Sequence, residues 1–231
     1  MTCIAVIGGD GAGKTTVTRW LLASGRAPLR YLYMGINVES SNAALPTSRL
    51  LQRLRRRRGE GGTLHAAATR PARGGAKGAL RAAVRLAYRL SEEWYRQLLC
   101  GYFELRGEVV LCDRHFLYDF YETAPRRRAQ RFAERVHLWL LEHLYPRPDL
   151  VLFLDAPAEV LFARKGEATL EFLEGRRAAV LELGAGDPRF CRVDATRPLE
   201  EVQAEVARRI DAFLAGDGRA PRREPRSAAR G

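Results

Sequence analysis

Lysine is nearly absent: Lys14, Lys77 and Lys165 are the only lysines among 39 basic residues, and arginine supplies the rest. A general bias towards Arg and Ala produces such a count without selection for nucleic acid. The densest basic clusters, residues 53–58 and 219–230, carry no interleaved aromatics, unlike a surface that stacks single-stranded bases. Specific nucleic-acid binding is therefore not expected. The net charge of +12 still points to an anionic partner. Long apolar runs are missing too. No stretch approaches the ~20 uncharged apolar residues of a membrane-spanning helix, so no membrane partner is expected. The four cysteines (Cys3, Cys100, Cys112, Cys191) show no C-x-x-C spacing. Three of them sit in strand-like apolar runs, where a thiol behaves as a small buried hydrophobe. That pattern predicts a reducing compartment with neither disulfides nor zinc. Residues 1–7 already read as a strand, which leaves no room for a signal peptide and predicts a cytoplasmic protein.

What is present centres on Gly8-Gly9-Asp10-Gly11-Ala12-Gly13-Lys14-Thr15. The octapeptide fits G-x-x-x-x-G-K-[ST]. It follows an apolar run (Cys3, Ile4, Ala5, Val6, Ile7) and precedes a helical pattern (Val17, Trp20, Leu21), the strand–loop–helix context this motif requires. Glycines let backbone N–H groups approach a triphosphate closely, and the helix N-terminus adds partial positive charge. In that chemistry Lys14 reaches the β- and γ-phosphates, and the Thr15 hydroxyl binds Mg²⁺.

Downstream the chain alternates. Strands are predicted over 29–34, 108–113, 150–155 and 190–194. Helices are predicted from the loop to 24, then over 45–58, 79–105, 125–144, 157–165, 169–183 and 198–214. On the long 79–105 helix, Leu80, Val84, Ala87, Tyr88, Ser91, Tyr95, Leu98 and Leu99 mark the face expected to pack. Residues 35–79 read as a variable insert, mobile over 59–79. Residues 216–231 read as a disordered basic tail. Five apolar strands between helices predict a three-layer α/β/α fold with a five-stranded parallel sheet over 1–215. In such a sheet, ligands bind beyond the carboxyl ends of the strands. Asp113 closes Val109-Val110-Leu111-Cys112 at one such end, as an acid that helps hold Mg²⁺ does, and Arg114 and His115 follow.

With these residues in view, the chain resembles the thymidylate kinase family of P-loop nucleoside monophosphate kinases. The loop through Thr16, the Asp113-Arg114-His115 strand end, Ala163-Arg164-Lys165-Gly166-Glu167 and the closing segment Val193-Asp194-Ala195-Thr196-Arg197-Pro198 carry the likeness. It covers roughly 1–34 and 105–215. The resemblance implies ATP as phosphoryl donor and Mg²⁺ held by Thr15 and Asp113. It implies that Gly8, Asp10, Gly11, Ala12, Gly13, Lys14, Thr15 and Thr16 contact nucleotide, and that Ala195 and Thr196 lie on the adenine side. Lys14, Asp113 and Arg114, with Arg164 and Lys165 on a lid at about 163–170, would then be catalytic. Arg114 would touch the acceptor's phosphate and Asp10 its sugar. The family's Thr-Arg-Glu-Pro-Gly-Gly segment after the second strand is absent. Met34-Gly35-Ile36-Asn37-Val38-Glu39-Ser40 stands there instead. Nor does the long helix carry the family's Asp-Arg pair near Ser91-Glu92. A kinase for a nucleoside monophosphate such as thymidylate is the leading expectation. A P-loop kinase for a sugar or nucleoside, and an ATP-binding regulatory protein without an acceptor, stay open, as does pairing of two copies into a homodimer.

Overall fold

A computed structural model of the chain describes residues 2–25, 27–35, 42–45, 48, 76–123, 132–166 and 168–216, with the backbone alone for 76–79 and 121–123. The expected helix at 45–58 falls largely outside these residues, as do most of the 35–79 insert and the tail from 217 onwards.

The central sheet contains β1 (Thr2–Gly8), β2 (Leu29–Tyr33), β3 (Val109–Asp113), β4 (Leu150–Asp155) and β5 (Phe190–Asp194), in the order β2-β3-β1-β4-β5. All four neighbour pairs are parallel. Parallel strands are covered on both faces, so their sequences run apolar without alternation; all six residues of β4 are buried. Side chains still alternate across the sheet. Cys3, Ala5, Ile7, Val110, Cys112 and Phe153 face one core, with Cys100, Phe116, Leu138 and Val180 from the helices. Ile4, Val6, Leu111, Leu152 and Val193 face the other, with Val17, Leu21, Leu161, Val206 and Ile210. Register brings Val6 opposite Asp113, Tyr33 opposite Asp113, and Asp155 opposite Asp194. The carboxyl ends of all five strands therefore share one edge.

The helices are α1 (Lys14–Ala23), α2 (Ala76–Leu105), α3 (Phe116–Thr123), α4 (Phe132–His143), α5 (Ala158–Lys165), α6 (Leu170–Gly184) and α7 (Leu199–Ala215). Sequence reading places six of these within a few residues and misses α3. That segment, Phe-Leu-Tyr-Asp-Phe-Tyr, is rich in aromatics of modest helix propensity, and burial holds it helical. The expected 125–144 helix begins, among the described residues, at Phe132.

The long helix α2 turns the opposite way from expectation. Its apolar stripe faces outward, with Leu80 66%, Val84 60%, Leu98 68% and Leu105 76% exposed. Its inward face carries Glu92, Glu93, Arg96, Gln97 and Cys100, all buried. Periodicity alone predicts that the apolar side packs. Here the inward face reaches Gly35 after β2 through Arg96, His137 and Tyr145 through Glu93, and the core through Cys100, with Leu99 of the expected face packed beside it.

Candidate functional site

The loop after β1 is shaped by glycine. Gly11 (φ 92) and Gly13 (φ 85) occupy left-handed backbone. A Cβ on Gly11 would lie 3.0 Å from the Leu161 carbonyl. Substituting either position strains the loop. α1 starts at Lys14 without a side-chain cap, so its first N–H groups depend on the loop or an anion for partners. Lys14 curls back: its Nζ donates to the Gly8 and Gly9 carbonyls, each at 2.7 Å, and lies 3.9 Å from Asp10. The Lys14 side chain is 6% exposed. Thr15 and Thr16 are exposed at the start of α1.

Asp10 gathers cations from two other segments. Arg114 Nη2 donates to its Oδ1 at 2.8 Å, and Arg176 Nη1 to its Oδ2 at 3.4 Å. Burial favours the protonated acid, but the Arg114 hydrogen bond and the charges of Arg114, Lys14 and Arg176 outweigh it and hold Asp10 well below the usual carboxylate range. Arg114 has φ 69, the single non-glycine residue with positive φ among the described residues. Its N–H donates to the Val6 carbonyl at 3.0 Å, joining β3's exit to β1. Asp119 lies 3.8 Å from its guanidinium. Non-glycine residues in this conformation cluster at functional sites.

At Asp113, 3% exposed, Tyr31 donates to Oδ2 at 3.2 Å. Burial and the Asp113 charge push the Tyr31 hydroxyl up, so it stays protonated and donating. The other oxygen, Oδ1, is buried with no hydrogen-bond partner among the described residues. A buried carboxylate oxygen left open at a strand end, with the Thr15 hydroxyl in the first turn of α1, is an all-oxygen donor set that suits Mg²⁺. His115 is fully enclosed, and burial pushes its pKa down to about 4. It is neutral near pH 7 and packs edge-on against Tyr118.

The lid is brief. α5 ends at Lys165, Gly166 closes it in a left-handed conformation, and Thr169 caps α6 by accepting from the Phe172 N–H. Arg164 donates to the Ala195 carbonyl at 2.9 Å, fastening α5 to the loop after β5. Lys165 is exposed. Thr196 donates both its N–H (2.9 Å) and hydroxyl (2.6 Å) to Asp194 Oδ1, which fixes that loop. Residues expected at the donor and reaction sites thus fall into two groups. Asp10, Lys14 and Arg114 touch at the phosphate loop. Arg164, Ala195 and Thr196 meet after β5, and Arg164 itself lies against Gly11 of the phosphate loop.

Arginines at two places were not singled out in the sequence. Arg176 reaches Asp10 from α6, and its neighbour Arg177 grips Asp155 in a fork, Nε to Oδ1 at 2.7 Å and Nη2 to Oδ2 at 3.1 Å. Successive arginines on an otherwise ordinary helix give no motif to find. Arg96 is the other. Only 1% exposed, it donates Nη1 to the Gly35 carbonyl at 2.5 Å and lies over the Phe116 ring. Burial lowers its pKa while Glu92 and Glu93 oppose the shift. It sits one turn beyond Glu92, whose carboxylate accepts from the Leu45 N–H. An arginine on the face opposite the apolar stripe was the available signal.

The chain is similar along most of its length to a thymidylate kinase of Leifsonia xyli subsp. xyli (strain CTCB07), 32% identical over 224 residues, covering 90% of this chain and 93% of that protein. A thymidylate kinase of Methylococcus capsulatus is 36% identical over 122 residues, 48% of this chain and 58% of its own. One of Alcanivorax borkumensis is 37% identical over 120 residues, 48% and 57% respectively. No family model matches the chain.

Proposed function

The chain belongs to the thymidylate kinase family, and we propose that it transfers the γ-phosphoryl group of ATP to a nucleoside monophosphate, with thymidylate as the acceptor. One observation carries the reading: Asp10, Lys14 and Arg114 meet at the carboxyl ends of two adjacent strands, beside a phosphate loop. Phosphoryl transfer asks the protein for position and charge rather than covalent chemistry.

In this reading Lys14 leaves the Gly8 and Gly9 carbonyls for the β- and γ-phosphates, and the N–H groups of the loop and α1 hold the remaining oxygens. Arg114 faces the acceptor's phosphate. An oxygen of that phosphate attacks the γ-phosphorus, the bond to the β–γ bridging oxygen breaks, and ADP leaves. Asp10 aligns Arg114 and Arg176 and contacts the acceptor's sugar edge. Asp113 and Thr15 would hold Mg²⁺, which would supply positive charge to neutralise what develops on the phosphates during transfer. Ala195 and Thr196 line the adenine side. Arg164 and Lys165 close over the phosphates, and exclusion of water there keeps ATP from hydrolysis. Arg96 carries the acceptor side of the site, where the sequence departs from the family's pattern.

The reading extends to a homodimer. Leu80, Val84, Leu98, Tyr102 and Leu105 form one exposed stripe along α2, an area that a second copy would bury. ADP formation measured with each nucleoside monophosphate in turn tests the function. Thymidylate should stimulate turnover most. Stimulation by none of the monophosphates refutes the nucleotide acceptor.

A further inference from the structure

Three thiols far apart in sequence converge in the core on one side of the sheet. Cys3 of β1, Cys112 of β3 and Cys100 of α2 place their sulfurs within 4.8 Å of one another, and Cys3 Sγ lies 3.3 Å from Cys112 Sγ. The three residues are 8%, 0% and 4% exposed. They form the one cluster of three or more His, Cys, Asp or Glu ligand atoms among the described residues. We propose that they form a binding site for a single thiophilic d¹⁰ cation, such as Zn²⁺, Cu⁺ or Cd²⁺, held by three sulfurs and tying β1, β3 and α2 together.

Spacing argues against a Cys3–Cys112 disulfide. In the parallel register Cys3 pairs with Val110 and Ala5 with Cys112, so the two cysteines are offset by two residues on neighbouring strands. With strands about 4.8 Å apart and a rise of about 3.3 Å per residue, their Cα atoms are roughly 8 Å apart. A disulfide cannot span more than about 7 Å without moving backbone, and here the backbone is the centre of the sheet. A disulfide would also use only two of the three sulfurs. A metal needs no such approach. With metal–sulfur bonds of about 2.3 Å, a trigonal site has sulfurs about 4 Å apart. The observed cluster, with one edge of 3.3 Å and no edge beyond 4.8 Å, brackets that triangle and needs only small side-chain rotations.

The surroundings sort the ligand by softness. Ala5, Ile7, Val110 and Phe153 belong to the same core; Asp149 accepts from the Cys3 N–H and Glu104 stands beside Cys100 and Cys112, but neither carboxylate is among the clustered ligand atoms. Thiolates select soft or borderline ions, and carboxylates select Mg²⁺. The cluster and the Asp113 edge would therefore take different metals side by side, although Cys112 directly precedes Asp113. The ion would enter through local opening of α2 over the sheet, a motion well short of global unfolding. The proposal does not depend on the kinase reading.

The test titrates the reduced full-length chain with Cd²⁺ in the absence of oxygen. Thiolate-to-metal charge-transfer absorption should saturate at one equivalent, and the thermal midpoint should rise with Cd²⁺ as binding to the folded state requires. Cys100→Ala removes one sulfur with a good helix former and should weaken binding at least tenfold. Cys191→Ser, at the fourth and part-exposed thiol, should leave it unchanged. The cadmium resonance of the wild-type protein reports the number of sulfur ligands directly, so the result stands even if Cys100→Ala does not fold. Three sulfurs are expected. No charge-transfer band, a band lost in Cys191→Ser, or a resonance with one sulfur or none would overturn the site.

Discussion

Arg114 offers a comparison in which alanine and glycine should exchange their usual order. It combines a left-handed backbone, φ 69, with a guanidinium bound to Asp10 at 2.8 Å. Arg114→Ala and Arg114→Gly both remove the guanidinium and its ion pairs, so those losses cancel between them. What remains is backbone. A side chain with a Cβ in this conformation costs about 1–2 kcal/mol. Glycine escapes that cost but gives up about 0.4–1 kcal/mol through the greater freedom of its unfolded chain. The difference, about 0.5–1 kcal/mol, favours glycine. In a chain of this length it corresponds to roughly 2 °C in melting temperature. Paired urea unfolding curves and thermal melts of the two variants measure it. Both variants should also lose turnover by on the order of 10²–10³, the scale for a preorganised charge at a reacting phosphate. An alanine variant as stable as the glycine one would refute the strain. Near-normal activity in either would remove Arg114 from the phosphates.

Lys14→Ala should lower turnover by on the order of 10²–10³ or more with circular dichroism unchanged, since its ammonium bonds the Gly8 and Gly9 carbonyls of the loop rather than the core; activity within a few-fold of wild type would contradict the mechanism. Asp113→Asn keeps the shape and the Tyr31 contact but loses the charge, so the Mg²⁺ concentration for half-maximal rate should rise at least tenfold. An unchanged Mg²⁺ profile would make Asp113 structural. Arg176→Met keeps the stem and removes the cation 3.4 Å from Asp10, and should reduce kcat/KM about 10- to 100-fold, the span of one charge-assisted hydrogen bond. Equal kcat/KM would mean that Arg176 only packs.

The sheet was legible because parallel strands covered on both faces must be apolar throughout, and β1, β3 and β4 each end such a run at Gly or Asp; the edge strand β5 is less apolar, with Arg192 exposed, but also ends at Asp. The phosphate loop was legible because its glycines and Lys14 are contiguous. What escaped reading depends on distance in space. Arg176 becomes a partner of Asp10 only when α6 packs beside the loop, and no spacing within α6 records that. Cys100 joins Cys3 and Cys112 only through the docking of α2, so the absence of C-x-x-C, which suggested that no metal would bind thiols, carried no information about the folded cluster. The reversed face of α2 misled for a related reason. Periodicity marks which stripe is apolar, and the fold decides whether this chain or another surface covers it.

The most direct test of the central claim follows the label from γ-labelled ATP. Incubated with the purified full-length chain, Mg²⁺ and thymidylate, the label should appear in thymidine diphosphate at a rate that depends on both substrates, and Lys14→Ala should suppress it on the order of 10²–10³-fold. Label released as inorganic phosphate at the same rate with and without any nucleoside monophosphate would contradict it.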